Sequence, residues 1–223
     1  PDPSQWHEVV PETENVLQVA GIMGDSLVLE YLQDAKSILQ VNSLSGKLLH
    51  EVELPGVGSV GGFSGAATEA DAFFSFSSFN RPDTIYRLTI AKGSAEVFKA
   101  PKLSFDPDRF LVKQVFYRSK DGTRVPMFIT HRKDLDLSKS HPTLLYGYGG
   151  FNISMTPGYS TTRLAWAELG GIYAVANLRG GGEYGEAWHK AGTKLQKQNV
   201  FDDFIAAAEY IIEEGMTSKS QLA

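Results

Sequence analysis

The 223-residue chain carries 21 Lys+Arg against 26 Asp+Glu, a formal charge of -5, with 42% hydrophobic residues and no cysteine. That balance offers no footprint for nucleic acid or an anionic membrane surface, and no run approaches the roughly 18 apolar residues of a membrane span. The lack of cysteine removes disulfides and thiolate chemistry and fits a cytoplasmic setting. The opening Pro-Asp-Pro-Ser-Gln-Trp has neither the basic nor the apolar region of a signal peptide, and a first residue other than Met suggests a fragment or a processed chain.

Residues 1 to about 102 read as β. Val16 to Ile22, Ser26 to Tyr31, Ser37 to Val41 and Leu48 to Leu54 are short apolar or alternating runs split by Gly, Asp and Asn. A second set follows at Ala72 to Phe76, Thr84 to Ile90 and Ala95 to Phe98. The sets correspond at a near-constant offset: Asp25 with Asp71 and Pro55 with Pro101, each 46 apart, and Gly46 with Gly93, 47 apart. Four-stranded propeller blades repeat at about 40–50 residues. Two blades are too few to close a propeller, which takes about 4–8. Either further blades precede Pro1 or this half is a plain β-meander, and the first is preferred.

The character changes after Pro101. Phe110 to Arg118 and Arg124 to His131 flank Lys120-Asp121-Gly122-Thr123, a hairpin signal of alternating strands around Asp-Gly. Arg132 to Ser140 reads as a polar loop, and a buried strand is predicted at Pro142 to Tyr146. Arg163 to Leu169 is predicted helical and stopped by Gly170-Gly171. Ile172 to Leu178 is apolar but for Asn177, as expected of an internal parallel strand. Asp202 to Glu214 predicts an amphipathic helix with Phe204, Ala208, Ile211 and Ile212 on one face and Gly215 at its end. Gln221-Leu222-Ala223 reads as the start of another strand. The second half is the opening of an α/β sheet.

Leu144-Leu145-Tyr146-Gly147-Tyr148-Gly149-Gly150-Phe151 sends an apolar run into a glycine-rich turn rimmed by aromatics. Glycine lets a ligand approach the backbone, and such a loop after an early strand helps build the oxyanion hole of α/β-hydrolases. Gly180-Gly181-Gly182-Glu183-Tyr184-Gly185 satisfies G-x-G-x-x-G, with Asp202 and Asp203 about 20 residues on. Against a dinucleotide site, Glu183 would set a carboxylate near the pyrophosphate, and the strand is not the first of its sheet. A structural or active-site turn is preferred. No serine lies in a strand–Gly-x-Ser-x-Gly–helix setting; Gly62-Phe63-Ser64-Gly65-Ala66 falls in a Gly/Ser loop and reads as a blade connection.

The histidines at 7, 50, 131, 141 and 189 show no H-E-x-x-H spacing or clustered partner, so no metal site is expected. His131 and His141 read as solvated residues flanking the polar loop, and His189 as packing under the Gly-rich turn. Arg179 ends an apolar strand, where a cation is costly unless paired. Asp202, Asp203 and Glu183 are its available partners, and a buried ion pair fixing the loop is preferred over contact with substrate.

Tyr146 to Phe151, Asn177 to Gly185 and Asn199-Val200-Phe201-Asp202-Asp203-Phe204, in that order, strongly resemble the prolyl oligopeptidase family. With the hairpin at 112–131 and the β repeats, the resemblance covers essentially the whole chain. It implies an α/β fold in which a seven-bladed propeller caps an α/β-hydrolase domain. Residues 1–102 are then the C-terminal blades of a β-propeller, about two of them, and 103–223 the first part of the hydrolase domain. It also implies a serine endopeptidase that cleaves short peptides on the carboxyl side of proline through an acyl-enzyme, with a Ser-Asp-His triad and no cofactor. Tyr148 is the implied hydroxyl donor to the oxyanion, Phe151 an implied aromatic wall of the proline pocket, and Arg179, Asp202 and Asp203 implied scaffold nearby.

By the same likeness all three triad residues lie after Ala223. The 223 residues alone are therefore expected to be inactive and, with an open sheet edge, to fold poorly or aggregate. The expected partners are short proline-containing peptides, with neither nucleic acid nor membrane, and the parent protein is expected to be a cytoplasmic monomer. The alternatives are a related oligopeptidase of basic-residue specificity or an acylaminoacyl peptidase, a peptide macrocyclase, and a non-catalytic propeller binding module. The α/β half weighs against the last.

Overall fold

The computed structural model describes residues 2–223. Two four-stranded antiparallel meanders come first. One comprises β1 (Val16–Met23), β2 (Ser26–Gln33), β3 (Lys36–Ser43) and β4 (Leu48–Val52); the other comprises β5 (Ser59–Ser64), β6 (Asp71–Ser77), β7 (Thr84–Thr89) and β8 (Ser94–Lys99). Alternating residues of both sheets, among them Val28, Leu39, Val41, Val60, Phe74 and Leu88, share one apolar cluster. The β1–β2 and β2–β3 connections each hold two consecutive residues at positive φ, Gly24-Asp25 and Asp34-Ala35, the signature of the tight turn that suits twisted strands.

One sequence expectation fails here. Gly62 to Ser64 belongs to a strand, not to a blade connection, because β5 pairs with β6 through Val60–Phe76 and Gly61–Ser75. Glycine weakens the local strand signal. The register shift between Gly61 and Ser64, with Gly62 at φ +61°, marks the irregularity that the glycines permit.

The third sheet contains β9 (Phe110–Arg118), β10 (Arg124–Arg132), β11 (Thr143–Gly147) and β12 (Ile172–Ala176), in the order β11-β12-β10-β9. β12 is internal, as expected, but the sheet is mixed: β12 runs parallel to β11 and antiparallel to β10. Residues 221–223 lie along β11, with Leu145 N–H donating to the Ala223 carbonyl (2.8 Å) and Ala223 N–H to that of Thr143 (2.9 Å).

Period-two alternation assigns the two faces of this sheet. Val125, Met127 and Ile129 of β10, with Ile172, Ala174 and Ala176 of β12, pack against helix α3 (Gln198–Glu213). Phe128, Tyr173 and Val175 face the other way. There they meet Ala35 and Phe79 from the meanders and Trp166 of helix α1 (Thr161–Glu168). The linkage is also polar: Tyr184 donates its hydroxyl to Asp34 (2.6 Å), and Ser59 donates to the Pro157 carbonyl (2.7 Å).

Two further expectations are corrected. The long helix begins four residues earlier than predicted and buries Val200, Asp203, Ala207 and Ile211, while Phe204 is 36% exposed. Pulling the Asp203 carboxylate inward rotates the helix and turns Phe204 outward. His131, expected in solvent, is 2% exposed, because β10 continues through Arg132 and carries it inside. Burial holds its pKa below the ordinary histidine range. Among the described residues no helix is long and apolar enough to cross a membrane.

Phe128 is fully buried where the meanders meet the mixed sheet, its ring 5.6 Å from Phe79. Phe128→Ala is expected to cost about 3–5 kcal/mol in chemical denaturation. A loss below about 1 kcal/mol, the scale of an ordinary surface change, would show that this contact does not tie the two parts together.

Candidate active site

β11 ends at Gly147, and the chain turns through Tyr148-Gly149-Gly150-Phe151. Space forces the glycine at 149: its φ is +60°, and a Cβ there would lie 2.4 Å from Val200 Cγ1 and 2.9 Å from Leu178 Cβ. A Cβ on Gly180, at φ +92°, would lie 2.7 Å from the Gly149 carbonyl oxygen. The two glycine-rich turns therefore interlock backbone against backbone. Phe151 and Asn152 also sit at positive φ, +55° and +58°. For a bulky residue this costs on the order of 1 kcal/mol and persists where surrounding contacts over-determine it.

Those contacts are visible. Asn152 N–H donates to the Gly180 carbonyl (3.2 Å), which also accepts from His189 Nδ1 (2.8 Å), and Lys197 Nζ donates to the Gly149 carbonyl (2.7 Å). The turn is thus fixed from below and open above. Tyr148 is 43% exposed and Phe151 82%, their ring centroids 6.4 Å apart.

Beneath the turn lies Arg179, 4% exposed, three residues past the end of β12. Its Nη2 lies 2.6 Å from Asp203 Oδ1, its Nε 3.0 Å from Oδ2, and its backbone N–H also donates to Oδ2 (3.0 Å). Nη1 reaches Asp121 Oδ2 at 2.5 Å, and Nη2 donates to Ser119 Oγ at 3.2 Å. Burial works against the guanidinium charge, but the hydrogen bonds it donates to Asp203 and Asp121 outweigh it and hold the pKa above the ordinary arginine value. The Arg179 hydrogen bond draws Asp121 down to about 2. Tyr117, whose hydroxyl donates to the Asp203 carbonyl (2.9 Å), is pushed up by burial and then by the Asp203 charge.

The structure therefore brings together Arg179 and Asp203 and adds Asp121, which the sequence reading treats only as a hairpin turn. Asp202 points elsewhere, accepting from Gln198 Nε2 (3.0 Å). Glu183 is not a partner of Arg179 either. It turns inward, 1% exposed, and accepts from Met155 N–H (2.8 Å). The Gly180–Gly185 loop has no phosphate cradle: its N–H groups at 180, 181 and 185 donate to the carbonyls of Trp188, Leu178 and Gly182, and helix α2 (Gly185–Lys190) has six residues. Among the described residues no group of His, Cys, Asp and Glu could hold a metal ion.

Two family models match: the prolyl oligopeptidase N-terminal beta-propeller domain over residues 1–101 and the prolyl oligopeptidase family over 157–223. The chain belongs to the prolyl oligopeptidase family. Its α/β fold is that of propeller blades followed by the start of the family's peptidase domain, and the match to a solved structure over the whole chain supports this. The chain is 47% identical over 223 residues to a prolyl endopeptidase of Elizabethkingia miricola, covering 100% of this chain and 32% of that protein. A solved structure from a study of two prolyl endopeptidases and their inter-domain dynamics superposes with a TM-score of 0.92 at 48% identity. It covers 100% of this chain and 33% of that one. Prolyl oligopeptidase B from Galerina marginata, bound to a 25mer macrocyclization substrate, gives 0.89 at 32% identity, covering 96% and 31%. The chain thus spans about a third of the length of the curated relatives it matches.

The two adjacent aspartates, Asp202 and Asp203, should separate cleanly under mutation. Asp203→Ala leaves a buried guanidinium short of a partner and is expected to cost about 3–5 kcal/mol in denaturant titration. Asp202→Ala should stay within about 0.5 kcal/mol of wild type. Equal losses at the two positions would contradict the assignment.

Proposed function

We propose that the protein containing this chain is a serine endopeptidase that cleaves short peptides on the carboxyl side of proline through an acyl-enzyme. Residues 1–102 supply propeller blades and 103–223 the first part of the hydrolase domain, with the Ser-Asp-His triad contributed by residues outside these 223. The protein works as a monomer in the cytoplasm, without metal or cofactor.

One observation carries the reading: an exposed phenol and an exposed phenyl ring stand side by side on a turn whose backbone is fixed from below. When a nucleophile adds to a peptide carbonyl, negative charge gathers on the carbonyl oxygen. Tyr148 donates its hydroxyl to that oxygen. A preorganised donor of this kind is worth about 3–4 kcal/mol of barrier, because no dipole needs to reorient as charge develops. Phe151 offers a flat apolar face to the pyrrolidine ring on the acyl side of the scissile bond. Proline suits such a wall because it presents a rigid ring with no N–H to satisfy. Arg179 and Asp203 act below as scaffold and touch no substrate.

Hydrolysis is preferred over macrocyclisation, in which a peptide amine replaces water at the acyl-enzyme. The preference follows the higher identity to prolyl endopeptidases than to the enzyme bound to a macrocyclization substrate.

A fluorogenic proline-containing peptide tests the assignment in the intact protein. Tyr148→Phe is expected to lower kcat about 10²–10³-fold with little change in KM, since the donor acts on the transition state. Residues 1–223 alone should turn over no faster than a Tyr148→Phe control of the same length. Full activity in the intact Tyr148→Phe enzyme would remove Tyr148 from the oxyanion site.

A further inference from the structure

Of the buried ionisable groups that the mechanism leaves unused, one lies beside the two glycine-rich turns. Glu183, at the centre of the Gly180–Gly185 loop, is 1% exposed, and Asn177 beside it is 0% exposed. Glu183 Oε1 accepts from Met155 N–H (2.8 Å) and from Asn177 Nδ2 (3.3 Å), and the second Nδ2 hydrogen goes to the Met155 carbonyl (2.6 Å). Two buried acceptors remain without a partner, Glu183 Oε2 and Asn177 Oδ1. They belong to the two groups already joined through Nδ2 and Oε1. An unpaired buried acceptor is costly, and two together more so.

Because the two groups already meet through Nδ2 and Oε1, one proton shared between Oε2 and Oδ1 would satisfy both. A carboxylic acid and a primary amide form a closed ring of two hydrogen bonds, the amide N–H to the acid carbonyl and the acid O–H to the amide carbonyl. We propose that Glu183 is held as a neutral acid donating its Oε2–H to Asn177 Oδ1, and that this acid–amide pair positions the segment bearing Phe151.

The surroundings agree. The groups acting on the carboxyl are, after burial, the Met155 N–H, its own N–H, Asn177 and Trp188, none of them charged, and burial raises its pKa above the usual carboxylate range. The titratable groups close by are spoken for. Arg179 is bound by Asp203 and Asp121, His189 by the Gly180 carbonyl, and the Tyr184 phenol by Asp34. The reach to the turn is short. Met155 lies four residues after Phe151, and a Cβ on Gly182 would lie 2.7 Å from the Asn152 carbonyl oxygen. Ionising Glu183 sets a carboxylate against an amide oxygen and loosens this packing. The role at the pocket rests on the function proposed above; the protonation state does not.

The sign follows from linkage. The folded state keeps a proton that the unfolded chain releases in the ordinary glutamate range. This contribution to stability is therefore complete below that range and is lost as pH rises towards the raised folded value.

The test is infrared difference spectroscopy on the intact protein at neutral pH, wild type against Glu183→Gln, with denaturation midpoints followed across pH. A protonated-carboxyl C=O band lost in Glu183→Gln is expected. Glutamine preserves one donor and one acceptor, so the variant should fold and show a shallower fall in stability from mildly acidic to alkaline pH. KM for a proline peptide should rise at alkaline pH in wild type and stay flat in the variant. If Glu183→Gln does not fold, Glu30→Gln serves instead, because Glu30 is the other buried glutamate whose pKa burial raises. The Glu183 band should survive in it. Only a carboxylate band, or stabilisation of wild type by added sodium or potassium ions bridging the two acceptors, would overturn the proposal. A correct infrared band with no KM effect would leave the acid–amide pair standing and overturn its role at the pocket.

Discussion

A guanidinium buried just past the end of a strand is the constraint on which this structure turns. Taking Arg179 out of water is unfavourable by several kcal/mol unless its donors are met. They are met by Asp203 from α3, by Asp121 and Ser119 from the β9–β10 hairpin, and by the register that brings the three together. One cation thus fixes the rotation of the long helix, the position of the hairpin tip and the exit of β12. Phe204 and Ile205 stay on the outer face of α3 because Asp203 occupies the inner one.

Above that anchor the two glycine-rich turns are locked together by steric exclusion. A side chain at Gly149, Gly180 or Gly192 would collide with backbone or with Val200 and Leu178. The left-handed conformations of Phe151 and Asn152 are held by the Asn152 N–H bond to Gly180 and by the glycine packing. Holding reactive groups in place before substrate arrives lowers a barrier, since no ordering is left to do at the moment of reaction. On the opposite face of the sheet, Ala35 and Phe79 of the meanders press on Phe128 and Tyr173. The scaffold is therefore supported from both sides.

Much of this was legible in the sequence. Strand alternation, the Asp-Gly hairpin and the near-46-residue offset all follow from local chemistry, and each has a counterpart among the twelve strands. The unread parts share a cause, which is that tertiary pairing overrides local signal. The glycine-bearing segment joins a strand because β6 pairs with it through Gly61 and Ser64. Asp203 goes inward because Arg179 is there, and the helix turns with it, a rotation no hydrophobic pattern records. Asp121 looks like any turn aspartate until the hairpin is folded over β12. The sequence offers Glu183 as a partner for Arg179, whereas in the structure it meets Asn177, six residues earlier. Polar residues at the end of an apolar run, Asn177 and Arg179, are the available signal for the last three.

The buried Arg179–Asp203 pair lies beneath the turn that carries Tyr148, and on the proposed function that support should show in the rate. The measurement is a double-mutant cycle on kcat/KM for a proline-containing peptide, combining Tyr148→Phe with Asp203→Asn in the intact protein. If the pair sets the turn, removing the Tyr148 hydroxyl should cost at least about tenfold less in the Asp203→Asn background than in wild type, a coupling of about 1.4 kcal/mol. The same factor in both backgrounds would contradict the account.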